Sequence, residues 1–207
     1  MRRRALLAGA LPLALSLPLG ACSVFNQAYV EPRRYPLAPR RPPGPAARRA
    51  PRGTVLMRLT RAAPGLDAKL LRSIRADGTE AIEYYAEWSA PPAEAAEEAL
   101  RRWIVDAGIF AAVLAPGTRG DADLLLESEL VALHVDLGAG VAVASMTAVL
   151  LRNTSQFGTR VVAQISETAS VPVPPERPLG PDAQAAGMVG ALAGVLARME
   201  RELARRA

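Results

Sequence analysis

The stretch DADLLLESELVALHVD, residues 121–136, decides the fold. Leu124, Leu126, Ser128 and Leu130 recur at every second position, the period at which a β-strand returns to one face, so one face of this segment is buried. Two comparable runs follow, Val141 to Arg152 and Thr159 to Thr168, the second alternating through Val161, Ala163 and Ile165. Gly138-Ala139-Gly140 and the segment Asn153 to Gly158 separate the three, and this spacing predicts an antiparallel meander. Gly138 to Leu151 is the most apolar stretch of the later chain. With Ser145 and Thr147 inside it and only about fourteen residues, it suits a buried strand better than a membrane span.

Upstream of the meander, Thr54 to Thr60 reads as a first strand. Lys69 to Arg75 and Glu80 to Ala86 flank Asp77-Gly78, a dipeptide suited to a tight hairpin turn. Pro91-Pro92 then opens a helix with Glu94, Glu97 and Glu98 near its positive end; Ala96, Leu100, Trp103, Ile104 and Ala107 share one face, and Gly108 ends it. Ile109 to Leu114 is a short apolar strand, expected beside the first with a right-handed crossover if the two are parallel. Downstream, Pro172 to Pro181 breaks the strand pattern, and Asp182 is expected to cap a closing helix running to about Ala204. Met188, Leu192, Val195, Met199 and Leu203 form its apolar stripe. Gly187, Gly190 and Gly194 lie alongside at about 1 kcal/mol each in helix propensity, which a close contact with the sheet or with a neighbouring subunit would offset. The expected fold is α/β: a single domain over 54–207, with a mixed, mostly antiparallel sheet and two packed helices.

The N-terminus sets the compartment. Arg2, Arg3 and Arg4 precede an apolar run from Ala5 to Leu19 that Pro12 and Pro18 interrupt, the pattern of a cleaved secretory signal over residues 1–21. Leu19-Gly20-Ala21-Cys22 fits a bacterial lipobox, with Cys22 as the thiol on which acyl chains are built. Cys22 is the only cysteine, so no internal disulfide forms in an exported chain, and acylation accounts for the lone thiol. Two or three acyl chains would hold the protein firmly at a membrane, at about 0.8 kcal/mol per buried methylene. Ser23 in place of an aspartate favours the outer membrane, facing the periplasm.

Residues 22–53 read as a disordered tether, rich in proline and without apolar periodicity. From Ser23 to Gly53 it carries seven arginines against Glu31, whereas Thr54 to Ala207 has 15 basic and 19 acidic residues, a net of −4. The basic charge sits in an exported tail and the folded part is acidic, which argues against nucleic-acid binding.

The inventory for catalysis is thin. His134 is the only histidine and falls in a strand between apolar neighbours, where a structural or solvent-facing role is expected; with no second histidine, no metal site and no cofactor are expected. Asp121, Asp123, Glu127 and Glu129 fall at alternate positions, as a paired-carboxylate hydrolase would need, but also as a solvated strand face would. No phosphate loop or nucleophile elbow is present, and a non-enzymatic role is expected. Tyr84, Tyr85 and Trp88 are notable among scarce aromatics. Tyr84 and Trp88 are expected to pack beneath the first helix with Tyr85 pointing away, or to serve as a partner contact.

The lipobox, a proline-rich tether with Tyr35-Pro36-Leu37, a strand and hairpin, and Tyr84-Tyr85-Ala86-Glu87-Trp88 leading into a helix at Pro91-Pro92 come in a characteristic order. Ala122 to Glu127, a meander and a small-residue-rich last helix complete it. The whole resembles the ABC-type transport auxiliary lipoproteins, the paraquat-inducible protein C type. The resemblance implies an outer-membrane lipoprotein that works with MCE-domain proteins, a permease and an ATPase to move lipids between two membranes. A ring of copies is implied as well. A second envelope class, activation of peptidoglycan synthesis or outer-membrane assembly, remains open from the residues alone.

Overall fold

The computed structural model describes residues 29–44, 53–154, 158–176 and 178–206. The chain divides into two units, Met1–Glu31 and Pro32–Ala207, and the elements of the described residues belong to the second. In chain order they are β1 (Arg33–Tyr35), β2 (Thr54–Met57), β3 (Arg61–Ala62), β4 (Leu70–Ile74), β5 (Glu80–Trp88), α1 (Pro92–Ala107), β6 (Ala112–Leu114), β7 (Leu124–Asp136), β8 (Val141–Thr154), β9 (Gly158–Pro172) and α2 (Pro181–Arg206).

The opening stretch is the trunk of the sheet. One edge of β7 pairs antiparallel with β8, which pairs antiparallel with β9, forming the expected meander. The other edge of β7 meets three parallel strands in succession: β2 at Leu124–Leu126, β3 at Glu129–Leu130 and β4 at Val135–Asp136. Two branches grow from these. β2 carries β6 in parallel, as expected for the strand after the first helix, while β4 carries β5 antiparallel and β5 carries β1 in parallel. The sheet is therefore mixed, with its longest ladders antiparallel.

The Thr54 to Thr60 strand is shorter than expected, ending at Met57. Thr60 gives its backbone N–H to Glu97 of α1 and shares a hydrogen bond of 2.7 Å with the buried Ser128 hydroxyl, so the chain leaves the ladder before re-entering as β3. The hairpin turns where Asp77-Gly78 places it: Gly78 has φ +82°, and the Asp77 carboxylate accepts from both the backbone and the hydroxyl of Thr79.

Both helices cover one face of the sheet, α2 across β8 and β9 and α1 toward β7 and β6. Ala142, Ala144, Met146, Ala148 and Leu150 point into this interface from β8, and the whole Met188 to Leu203 stripe is buried against it. Two of the helix glycines are required there. A Cβ on Gly187 would stand 2.8 Å from Val173 and 2.9 Å from Ala142, and one on Gly194 would stand 2.9 Å from Ala169, whereas Gly190 has ordinary room. The glycines thus let α2 lie low on the sheet of its own chain.

Two expectations are corrected. The proline-rich segment is not all tether: β1 adds to the edge of β5, with Arg33 opposite Ala86 and Tyr35 opposite Trp88, and Leu37 is buried in the core. Asp182 does not cap α2 with its side chain. Its carboxylate instead accepts from Tyr35 and Arg33 of β1, because the arriving strand offers a phenol and a guanidinium where solvent would otherwise be.

Candidate functional site

The segment from Arg33 to Arg41 is a strap fastened at both ends of α2. At the start of the helix, the Tyr35 hydroxyl donates to Asp182 at 2.8 Å and Arg33 donates to the same oxygen at 2.6 Å. These bonds hold the Asp182 carboxyl below its usual range, with the tyrosine bond the largest cause, and Asp182 also complements the positive end of the helix. Near the other end, Arg41 grips Glu200 through Nε at 2.9 Å and a terminal nitrogen at 2.8 Å, and the Trp103 indole donates to Glu200 at 2.7 Å. The Arg41 bond is the main cause holding Glu200 below its usual range, against a smaller upward push from burial. Between the two clasps Leu37 is buried in the core, and it lines a cavity with Ala90 and Ala95.

Tyr84 and Tyr85 lie on the strand that receives the strap. In the β4–β5 ladder Arg72 faces Ile82 but Leu70 faces Glu87, so β5 has three more residues than its partner and bulges between them. This bulge corrects the expected platform. Trp88 is buried at 1% exposure, but Tyr84 is 88% exposed and Tyr85 55%, because the bulge breaks the alternation that would have put Tyr84 and Trp88 together. One side of the bulge is tied down: Gln184, buried at the start of α2, donates to Glu83 and to the Leu179 carbonyl, both at 2.8 Å, while accepting from the Ser73 hydroxyl at 2.9 Å.

The sheet face away from the helices carries one apolar rung. Leu114, Leu56, Leu125, Leu151 and Val161 stand opposite one another across β6, β2, β7, β8 and β9. Beside it is an open cavity of about 710 Å³, with Leu56, Leu59, Arg58, Arg61, Thr118 and Glu127 in its lining.

The remaining candidates are dispersed. His134 is half-buried on the open face, and burial, aided by the nearby Arg72 charge, lowers its pKa so that it is neutral at pH 7. Asp123 accepts from the Thr54 backbone at 2.8 Å and Glu129 pairs with Arg61 at 3.0 Å, while Glu127 lines the cavity and Asp121 is exposed. Their hydrogen bonds hold strand ends and edges. Among the described residues no group of three or more His, Cys, Asp or Glu can hold a metal ion, and no helix is long and apolar enough to cross a membrane. Cys22 and the expected signal peptide lie outside the described residues.

The residues that reading of the chain missed are Tyr35, Leu37 and Arg41, with Asp182 and Glu200, which hold Tyr35 and Arg41, and Trp103, which donates to Glu200. The available signal was local: Tyr35-Pro36-Leu37 puts an aromatic and an aliphatic residue together between Glu31 and Gly53, where the sequence has no other large apolar side chain.

No family model matches the chain, and no curated protein matches it by sequence. Solved structures do. Protein XCC0632 from Xanthomonas campestris, described under the family model DUF330, is similar over 80% of this chain and 91% of its own, with 24% identity and a TM-score of 0.65. The crystal structure of an uncharacterized protein is similar over 84% of this chain and 99% of its own, with 14% identity and a TM-score of 0.60. The likeness is one of fold: the sheet and helices of this chain are arranged as in the DUF330 structure.

Proposed function

We propose that this chain is a periplasmic lipoprotein anchored to the outer membrane through acyl chains on Cys22, acting without catalysis as an auxiliary component of an MCE/ABC-type lipid transport system. One observation carries the reading: Leu19-Gly20-Ala21-Cys22 closes an apolar leader, and nine residues separate Cys22 from the unit that begins at Pro32. The Cys22 sulfur is the nucleophile for diacylglyceryl transfer, and the folded unit is the part that meets a partner. Support for the transport role comes from the order of elements on which the family resemblance rests: strand, hairpin, helix, meander and final helix follow one another in the fold as they do in that pattern.

The full chain, produced in a Gram-negative cell, is expected to float with outer membranes, to incorporate labelled palmitate, and to retain an MCE-domain protein when solubilised in mild detergent. Cys22→Ser is expected to abolish flotation and labelling while leaving the circular dichroism spectrum unchanged. An unmodified Cys22 thiol in the native protein would overturn the anchoring. Capture of penicillin-binding proteins without any MCE protein would replace the transport role with one in peptidoglycan synthesis.

A further inference from the structure

The two most solvent-exposed tyrosines of the folded unit stand where its chain begins. Arg33 is the ladder partner of Ala86, and Tyr84 and Tyr85 are the two residues just before Ala86 on β5. The strap clasps keep that starting point fixed, since Arg33 and Tyr35 are both held by Asp182. Large apolar side chains are exposed on the same hairpin: Ile82 at 41% and Leu70 at 37% join Tyr84 and Tyr85, while Leu59, Val105, Val131 and Val161 are scattered elsewhere.

We propose that the Tyr84–Tyr85 bulge, with Ile82 and Leu70, is a membrane-contact surface resting in the headgroup region of the bilayer that holds Cys22. This rests on the acylation of Cys22 proposed above.

Chain length is the first argument. Only residues 23–31 separate Cys22 from Pro32, a reach of about 35 Å fully extended and about 17 Å as a flexible coil. A folded unit of this size is about 30–40 Å across, so the end bearing β1 and the β5 bulge stays next to the lipid. The chemistry of the surface is the second. Tyrosine, with an apolar ring and a polar tip, suits the boundary between acyl chains and water. Three acidic side chains around the patch are paired with arginines, Glu80 with Arg72, Glu87 with Arg34 and Asp182 with Arg33, while Glu83 accepts a hydrogen bond from the neutral Gln184 amide. An anionic lipid surface therefore meets three arginine-paired carboxylates and one amide-bound one, Glu83, and Arg33 and Arg34 present partly exposed guanidiniums beside it.

Cys22 is the only cysteine, so once it is acylated a Tyr84→Cys variant has one free thiol for a spin label, as does a Val161→Cys control on β9. Both full-length acylated proteins are reconstituted into vesicles of phosphatidylethanolamine and phosphatidylglycerol, and the label's collisions with oxygen and with a water-soluble nickel chelate are compared. The expected result is an oxygen-to-nickel ratio several-fold higher at position 84 than at 161. Equal, water-like ratios in protein that floats with the vesicles would overturn the tyrosine contact and leave the anchoring intact. Failure to float would sink the anchoring itself, and the contact with it. A label at 84 that becomes shielded only when an MCE-domain protein is added would reassign the surface to a protein partner.

Discussion

Arg41 and Glu200 form a two-pronged ion pair across 159 residues of sequence, with both prongs under 3 Å and the two side chains only 14% and 22% exposed. A planar guanidinium matched to a carboxylate in this way is the strong form of the interaction. It closes the strap over the end of α2 nearer the C-terminus.

Arg41→Ala is expected to destabilise the protein by about 2 kcal/mol, between the ~0–1 typical of exposed pairs and the ~3–5 of buried ones. Urea unfolding gives the magnitude, and hydrogen exchange locates it: deuterium uptake should rise over residues 33–41 well before the meander exchanges. Unchanged uptake there would mean that the Asp182 clasp, the β1–β5 ladder and Leu37 hold the strap without Arg41.

Acid should loosen the same clasp. Glu200 has a depressed pKa in the folded protein, chiefly from the Arg41 bond, so its contribution is complete above the ordinary glutamate value of 4.5 and is lost as the pH falls from there through the folded value. Glu200→Gln should make the fold less stable at neutral pH and flatten the loss below pH 4.5. Parallel pH dependences for the two proteins would assign the acid sensitivity to other carboxylates.

The helix glycines should separate by a single methyl group. Gly187→Ala forces a Cβ to within 2.9 Å of Val173 and Ala142, an overpacking that costs about 1–3 kcal/mol and outweighs the gain of about 1 kcal/mol in helix propensity. Gly190→Ala meets only ordinary contact with Val171 and should gain up to about 1 kcal/mol. Thermal melting of the pair should move in opposite directions, and a stabilised Gly187→Ala would contradict the close approach of α2.

Gln184→Leu leaves the buried Ser73 hydroxyl and the Leu179 carbonyl without their partner, at about 1–3 kcal/mol for each unsatisfied group. Adding Ser73→Ala should recover part of the loss, which a double-mutant cycle by chemical denaturation would measure. Because Gln184 also holds Glu83, the single variant should broaden the NMR signals of Tyr84 and Tyr85.

Much of the layout is legible in the chain because it is written locally. The meander follows from alternation over Leu124 to Leu130, the hairpin from Asp77-Gly78, and α1 from Pro91-Pro92, its acidic start and Gly108. The strap is not legible, because its arginines and prolines have no period, and what fixes Arg33, Tyr35 and Arg41 is two carboxylates of the last helix, Asp182 and Glu200. The position of Tyr84 is hidden for a related reason: alternation puts it with Trp88, but three extra residues in β5 undo that, and their placement depends on a buried glutamine of the last helix. Cys22 is read from motif alone, and its chemistry is independent of the fold.

The strap also decides where the protein can be shortened. Composition changes at Thr54, the natural place to begin a recombinant version for crystallisation or display. A chain begun there would lack the core residue Leu37 and would leave the Glu200 carboxylate bonded to Trp103 without its Arg41 partner. A start at Pro32 keeps the second unit entire, and the part of the apparent spacer that carries Tyr35, Leu37 and Arg41 belongs with what is to be preserved.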